Sequence, residues 1–191
     1  DAEREPLHAA GLDFQIGRAA QALGLMPLAE THLLAALAAN EQQLGMADRH
    51  TQEVAVALVS LYEMMGNDQQ SRPLAQRAVN ALGADSDGIL RASALSALAM
   101  VETNRGELPR AEALRQQVLA IDREIYGDAH PITLSAVNNL ANVLFAQRRY
   151  SEALPMFDQV LEARRKLYAA DHPAIAMAAN NSASTHLLTG D

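Results

Sequence analysis

Two segments near the end of the sequence repeat the same residues in the same order. One begins at Tyr126 and the other at Tyr168, and this offset of 42 residues also superposes a His-Pro pair and an Asn-Asn pair. The superposed residues are His130-Pro131 with His172-Pro173, and Asn138-Asn139 with Asn180-Asn181. A fixed period of this length is typical of stacked arrays, in which each unit is a supersecondary element that buries its apolar face only against its neighbours.

A third copy precedes these two at the same offset, because Leu98 superposes on Leu140 and Ala111 on Ala153. Glycines lie at equivalent positions of the repeats, at Gly24, Gly66, Gly106 and Gly190. The equivalent position in the fourth repeat is occupied by Arg148 instead of glycine. Each of these positions ends an apolar helical pattern, where a helix commonly needs a residue with positive φ. The phase therefore predicts five helix ends.

Apolar residues between these stops recur at three- and four-residue steps, which is the period of an amphipathic helix. We expect an all-α fold of four antiparallel helix pairs and one extra C-terminal helix. The first helices are predicted at residues 6–23, 48–65, 88–104, 131–147 and 173–189. Pro73 and Pro155 should lie near the first turn of two second helices, where a helix tolerates proline best.

The repeats predicted from this phase divide the chain into five segments, at residues 6–47, 48–87, 88–130, 131–172 and, as a partial unit, 173–191. Together they make one repeat domain over residues 1–191, which we interpret as a fragment of a longer protein. Four pairs and one helix exceed the three or so repeats that such an array needs for stability.

Composition narrows the function classes. The sequence is 49% hydrophobic but only 4% aromatic, as expected for close helix packing. A net charge of −8 disfavours nucleic acid and acidic membrane surfaces as partners. Because no apolar run reaches the length of a bilayer span, we expect no membrane insertion and favour the cytoplasm. Lys166 is the only lysine among 15 basic residues, a bias that suggests a bacterial genome.

Residues with catalytic or metal-binding chemistry are few. His130 and His172 recur at one repeat position before a helix-starting proline, which favours a capping or packing role over metal ligation. The sequence has no Cys and no phosphate-binding, nucleophile-elbow or HExxH motif. We therefore expect no catalytic, cofactor or metal site, and a protein that is not an enzyme.

A run of basic residues lies at the end of the chain, at Arg148, Arg149, Arg164, Arg165 and Lys166. On an antiparallel hairpin its two halves fall at opposite ends, about 24 Å apart, which is beyond a Debye length at physiological salt. These residues are interpreted as solvated faces and helix C-terminal charges rather than as a binding patch.

At the level of one repeat the chain resembles the tetratricopeptide repeat, and the 42-residue spacing resembles the kinesin-light-chain type. The matching residues of the fourth repeat are Leu140, Ala141, Leu144, Ala153 and Phe157, which follow the His-Pro and Asn-Asn pairs. The resemblance implies a right-handed α–α superhelix, in which the small Ala141 and Ala153 let the helices of a pair approach closely.

In that family the first helix of each pair lines a concave groove that binds extended or helical segments of other proteins. Carried over by register, the groove residues are Ser93, Ser96, Met100 and Thr103 in the third pair, Ser135, Asn138, Asn139, Asn142 and Phe145 in the fourth, and Met177, Asn180, Asn181 and Ser184 in the last helix, with Glu53, Ser60 and Glu63 in the second pair. The resemblance implies a protein–protein interaction module whose ligand is a peptide or partner segment.

Five asparagines on two neighbouring helix faces require an explanation, because asparagine is a poor helix former. An amide both donates and accepts, so Asn138 and Asn180 are predicted to pair with the backbone of a bound peptide. The alternative is that the second asparagine of each pair bonds to a neighbouring helix and only orders the stack.

The sequence leaves two functional hypotheses open beside an unsupported enzymatic one. The first is the groove-binding interaction module. The second is a regulatory or structural repeat segment of a larger multidomain signalling protein, in which the repeats contact their own chain. The sequence does not decide the oligomeric state.

Overall fold

A computed structural model of the chain describes residues 4–83 and 85–190. Within these residues the chain forms nine α-helices and no strand, as the sequence predicted. The helices are α1 (Arg4–Ala22), α2 (Met26–Leu44), α3 (Arg49–Met64), α4 (Asp68–Asn80), α5 (Gly88–Asn104), α6 (Leu108–Tyr126), α7 (Pro131–Ala146), α8 (Tyr150–Leu167) and α9 (Pro173–Thr189). The five predicted first helices are α1, α3, α5, α7 and α9, each within two residues of its predicted ends.

The residues predicted to end the first helices have the positive φ that was expected at these positions. Gly24, Gly66, Gly106 and Gly190 have φ of 74°, 66°, 78° and 83°, and Arg148 takes the same conformation with φ of 63°. Glycines also follow two second helices, where Gly45 and Gly127 both have φ of 80°.

Side chains before α3, α7 and α9 satisfy amide groups of the first turn, which have no partner within the helix. Asp48 accepts from the His50 amide at 2.8 Å. His130 Nδ1 accepts from the Ile132 amide at 3.2 Å, and His172 Nδ1 accepts from the Ala174 amide at 3.1 Å. Both histidine rings also stack on a tyrosine, with centroids 4.7 Å from Tyr126 and 4.3 Å from Tyr168 respectively. The capping role predicted for the two histidines is therefore confirmed.

Pro73 and Pro155 lie further inside their helices than predicted. Each is the sixth residue of its helix, in the second turn of α4 and α8, and so removes one backbone hydrogen bond. The carbonyls that lose this bond belong to Gln69 and Ser151, which are both exposed. Water can satisfy these carbonyls, which explains why the prolines are tolerated at this depth.

The described residues form two compact units, one up to Val101 and one from Glu102 onward. In the first unit α2 packs against α1 and α3, and α3 packs against α4. The approach of α1 to α2 is so close that a Cβ on Gly17 would lie 2.7 Å from Leu33 Cγ. Glycine is therefore required there for packing rather than for its backbone conformation.

In the second unit α7 packs against α6 and α8, and α9 packs against α8. The core includes Phe157 and Val160 of α8, which are 2% and 0% exposed. Ala141 of α7 and Ala153 of α8 are both fully buried, as expected for the small residues of a close helix pair.

The basic residues near the end of the chain are mostly engaged in local contacts. Arg149 pairs with Glu112 at 2.7 Å and with Glu152 at 2.6 Å. Hydrogen bonds with Glu152 raise the pKa of Arg149 and lower that of Glu152. Arg164 donates to the Ala174 carbonyl, and Arg165 pairs with Glu162. These contacts agree with the interpretation of the run as helix-surface charges.

Candidate functional site

Three first helices of the first unit line a cavity of about 730 Å³ that is open to solvent. Its lining residues lie on α1, α3 and the start of α5: Phe14, Arg18, Gln21, Ala22, Glu53, Val56, Ala57, Ser60, Met64 and Ser93. Glu53 and Ser60 were predicted as groove residues from the sequence. The register that defines the predicted groove therefore coincides with a measurable cavity in this unit.

The cavity wall combines apolar surface with polar groups of both kinds. The Arg18 guanidinium lies 6.0 Å from the centroid of the Phe14 ring, at the outer limit of a cation–π contact. The Gln21 amide donates to Met64 Sδ at 3.4 Å, which joins α1 to α3 across the cavity. Glu53 is exposed and supplies an acceptor, whereas Val56 and Ser60 are half-buried. Such a wall can hold an apolar side chain and still pair with backbone groups beside it.

A second cavity of about 470 Å³ adjoins the first, because Phe14 and Glu53 line both. Its other lining residues are Leu7, His8, Ala10, Gly11, Asn40, Leu44, Asp48, His50 and Val54. Asn40 is 5% exposed, and its side chain makes no hydrogen bond to any residue that the structure describes. A smaller cavity of about 240 Å³ lies among residues of α2, α3 and α4.

In the second unit the predicted asparagines follow α7 and α9. We refer to Asn138, Asn139, Asn142, Asn180 and Asn181 as the asparagine surface. Asn142 and Asn180 are exposed, and the other three are half-buried. The Asn181 amide donates to Asn138 Oδ1 at 3.1 Å, so the second asparagine of one pair bonds to the first asparagine of the other.

This hydrogen bond separates four of the five asparagines by role. Asn181 and Asn138 join two first helices, which is the stack-ordering arrangement considered for the second asparagine. Asn142 and Asn180 make no side-chain hydrogen bond within the described part of the chain, and both residues are exposed. They have the donor and acceptor capacity that a peptide backbone requires.

The remaining predicted residues lie at different depths. Phe145 is half-buried and packs edge-on against Tyr150 and Phe157, with centroids 5.1 and 6.5 Å apart. Met177 is 67% exposed, and Ser184 is half-buried. Ser96 and Met100 are half-buried on the part of α5 that belongs to the first unit. Apart from Glu53, Ser60 and Ser93, none of the predicted groove residues lines any of the three cavities above.

Sequence reasoning missed the cavity residues of α1, namely Phe14, Arg18 and Gln21. The repeat register could have found all three, because Phe14 occupies the position of Asn138, Arg18 that of Asn142 and Gln21 that of Phe145, counted from the helix-ending residue. The residue types of Phe14 and Arg18 hid these two, since neither resembles the amides that made the later copies conspicuous.

Among the described residues, no group with a perturbed pKa belongs to the asparagine surface or lines the two larger cavities, whereas Tyr62 lines the smallest one. Burial raises the pKa of the Asp122 carboxyl, and nearby His130 partly offsets this effect. Burial also lowers the pKa of Arg115 and, with Glu30, raises that of Tyr62. Among the described residues no three acidic or histidine side chains converge as they would around a metal ion. None of the described helices is long and apolar enough to cross a membrane.

A family model described as "Tetratricopeptide repeat" matches residues 90–166 and again residues 133–191, which together span more than half of the chain. The chain belongs to the tetratricopeptide repeat family. Its predicted fold class, an all-α superhelix of tetratricopeptide type, is thereby confirmed. No curated protein sequence matches the chain.

Solved structures with the same tetratricopeptide fold include relatives of the kinesin-light-chain type. Podosopora anserina "kinesin light chain nearly identical TPR-like repeats" has a TM-score of 0.82 at 21% identity, covering 97% of this chain and 88% of that one. A single-substitution variant of that protein has the same TM-score and identity over 96% and 88%. BtubC (BKLC) from P. vanneervenii has a TM-score of 0.85 at 20% identity, covering 100% and 78%. The resemblance to this repeat type is confirmed at the level of the fold.

Proposed function

We propose that this protein is an interaction module that binds a peptide or partner segment on the faces of its first helices. Tetratricopeptide repeats generally serve as scaffolds for protein–protein interaction, which supports this class of function. The observation that carries the proposal is the 730 Å³ cavity, whose wall is made by groove-register residues of three first helices. Its size and mixed lining suit a side chain together with the backbone beside it.

The residue chemistry favours a ligand with exposed backbone and apolar side chains. Phe14, Val56 and Met64 offer apolar contact within the cavity, and methionine adapts to irregular surfaces. In the second unit, Asn142 and Asn180 offer amides that pair with a peptide backbone whatever its side chains. Met177 supplies exposed apolar area on the same helix as Asn180. In the second unit the asparagine surface, with Phe145, Met177 and Ser184, remains our proposal for peptide contact, and in the first unit Ser96 and Met100 remain so.

A selection of displayed random peptides on the intact protein tests this function. Fluorescence anisotropy would then compare the binding of selected peptides to the parent and to an Asn142→Ala/Asn180→Ala double variant. Removing two hydrogen-bond partners should weaken binding by about 1–3 kcal/mol, or roughly 5- to 150-fold. The matched control is Gln117→Ala/Gln159→Ala, which removes two exposed amides from second helices. Binding that is equal in both variants would exclude the asparagine surface.

The same peptides show which of the two units holds the site. Ser60→Arg places a long side chain into the 730 Å³ cavity from a half-buried position. If this variant loses binding while the asparagine variant keeps it, the first unit holds the site. If no peptide is selected, or if selected peptides bind both variants and the control alike, the proposed groove function is wrong.

A further inference from the structure

Gly11 lies inside α1 at a position where neither packing nor backbone conformation requires glycine. It is away from both ends of the helix, and a Cβ added to it would meet no atom within 4 Å. Gly17 of the same helix differs, because a Cβ there would overlap with Leu33. Glycine inside a helix is destabilising relative to alanine, so Gly11 needs another explanation. It lines the cavity of about 470 Å³ and leaves open the space that a side chain would occupy.

A buried amide without a partner lines the same cavity. Asn40, near the end of α2, is 5% exposed and makes no side-chain hydrogen bond to any residue that the structure describes. Its amide is not among the polar groups that the fold seals from solvent, as it seals the hydroxyls of Thr51 and Ser71. The cavity that Asn40 lines is therefore the space that its amide reaches. Buried amides are almost always hydrogen-bonded, so this one points to a ligand.

The rest of the cavity wall sets the chemistry of that ligand. Five of its residues are apolar, namely Leu7, Ala10, Phe14, Leu44 and Val54. Two carboxylates lie among them: Glu53 is exposed, and Asp48 accepts from the His50 amide at 2.8 Å. The described lining residues include no lysine or arginine. An anionic ligand is therefore disfavoured, and a neutral one with apolar surface is favoured.

The α1 wall of this cavity lies on the groove side of the helix, which stays open in the later repeats. Counted from the helix-ending residue, the position of Gly11 is held by Glu53, Ser93, Ser135 and Met177, and all four are exposed. Each of these four residues belongs to a first helix that follows a second helix in the chain. A preceding helix leaves this position uncovered in every later repeat, so the opening beside Gly11 does not depend on what precedes α1.

We propose that the 470 Å³ cavity is a binding site for a neutral group that has a ring-sized apolar body and ends in a hydroxyl or an amide. The apolar wall buries the body, and Asn40, which both donates and accepts, pairs with the polar end. The volume of the cavity is within the range of small-molecule sites. A free small molecule and a side chain of a groove-bound peptide both offer this chemistry. The site requires no residue of the asparagine surface, so it stands independently of the proposed groove function.

Two small probes test the role of the amide. 4-Ethylphenol and ethylbenzene, which lacks the hydroxyl, are each titrated with the whole protein and followed by ligand-observed NMR. We expect saturable binding of 4-ethylphenol. Asn40→Leu should lower the ratio of the affinities for 4-ethylphenol and ethylbenzene at least about fivefold, because only the phenol can make the lost hydrogen bond. A purely structural role of Asn40 would change both affinities alike, so an unchanged ratio overturns the proposal.

Gly11→Leu tests the cavity itself and keeps the proposal falsifiable if Asn40→Leu does not fold. The leucine fills the cavity, so binding of both probes should be lost. Tm should be unchanged or raised, because leucine is a better helix former than glycine and its Cβ meets no atom. The matched control is Ser135→Leu, which adds the same side chain at the equivalent exposed position of α7 and should bind as the parent does.

Competition distinguishes the two sources of the ligand. If 4-ethylphenol displaces a peptide selected on the intact protein, and Gly11→Leu weakens that peptide, the cavity holds a peptide side chain. If 4-ethylphenol binds without displacing the peptide, the ligand is a free molecule. A selection that yields no peptide refutes the groove function but leaves the binding of the probes as the test of this site. Absence of saturable 4-ethylphenol binding, or undiminished binding to Gly11→Leu, overturns the proposal.

Discussion

Replacing Arg148 with glycine is expected to stabilise the protein. Arg148 ends α7 with φ of 63° and is the one described non-glycine residue with positive φ. For an L-residue this left-handed conformation costs about 1–2 kcal/mol, because Cβ approaches the following carbonyl. Glycine removes that cost, but its greater conformational freedom in the unfolded chain reduces the stabilisation by about 0.5–1 kcal/mol. The net gain in the free energy of unfolding is therefore about 0–1.5 kcal/mol, centred near 0.75 kcal/mol.

Thermal and urea unfolding followed by circular dichroism would measure this gain. One kcal/mol corresponds to about 2–4 °C in Tm for a chain of this size, so Arg148→Gly should raise Tm by about 1–4 °C. The side chain of Arg148 is exposed, so few tertiary contacts are lost with it.

The reciprocal control is Gly106→Ala, at the equivalent position of the preceding repeat. A Cβ on Gly106, whose φ is 78°, would meet no atom within 4 Å, so the substitution reports the conformational cost alone. We expect it to lower stability by about 1 kcal/mol. If Arg148→Gly lowers Tm, or if Gly106→Ala leaves the free energy of unfolding unchanged, the positive φ does not determine which residue is favoured at these positions.

Three further substitutions test the packing and the charges. Ala153→Glu would place a carboxylate against the buried Ala141 and should cost several kcal/mol in unfolding free energy; an unchanged melting curve would contradict the assigned helix contact. Gly17→Ala brings a Cβ to 2.7 Å from Leu33 Cγ and should cost about 1–3 kcal/mol, and in a double-mutant cycle it should cost less in a Leu33→Ala background if the overlap is the cause. Asp122→Asn should stabilise the protein at neutral pH, because burial holds the pKa of this carboxyl above its unfolded value and so penalises its charged form. The penalty is fully present at pH values above the folded-state pKa of Asp122 and absent below its unfolded-state pKa. The stability advantage of Asp122→Asn over the parent, measured by urea unfolding, should therefore vanish as the pH falls from the first value to the second.

Much of the fold could be predicted from the sequence because its determinants are local. Helix periodicity, a capping side chain and a residue with positive φ each depend on a few consecutive positions, and the repeat presents each signal several times. This redundancy allowed Arg148 to be assigned a left-handed conformation although its residue type disfavours one. The depth of Pro73 and Pro155 was misjudged, because tolerance of an internal proline depends on whether water reaches the carbonyl it leaves unpaired.

For the candidate site, the sequence could predict only which residues share a helix face. Counting from the helix ends places Asn138, Asn180 and Ser60 on one face of their helices. The bond between Asn181 and Asn138 depends instead on how two first helices, 43 residues apart in the chain, approach each other. The cavity beside Phe14 likewise depends on the separation of α1 and α3, and no local pattern encodes that distance.

The sequence by itself determined where the helices begin and end, which of their faces are apolar, and which residues occupy equivalent positions. Only the tertiary structure decided which of those equivalent faces are covered. Leu12 and Val54 share a register position and an apolar side chain, yet one is 66% exposed and the other 1%. The physical reason is that burial depends on a neighbouring helix: α2 packs on α3, whereas no described helix precedes α1.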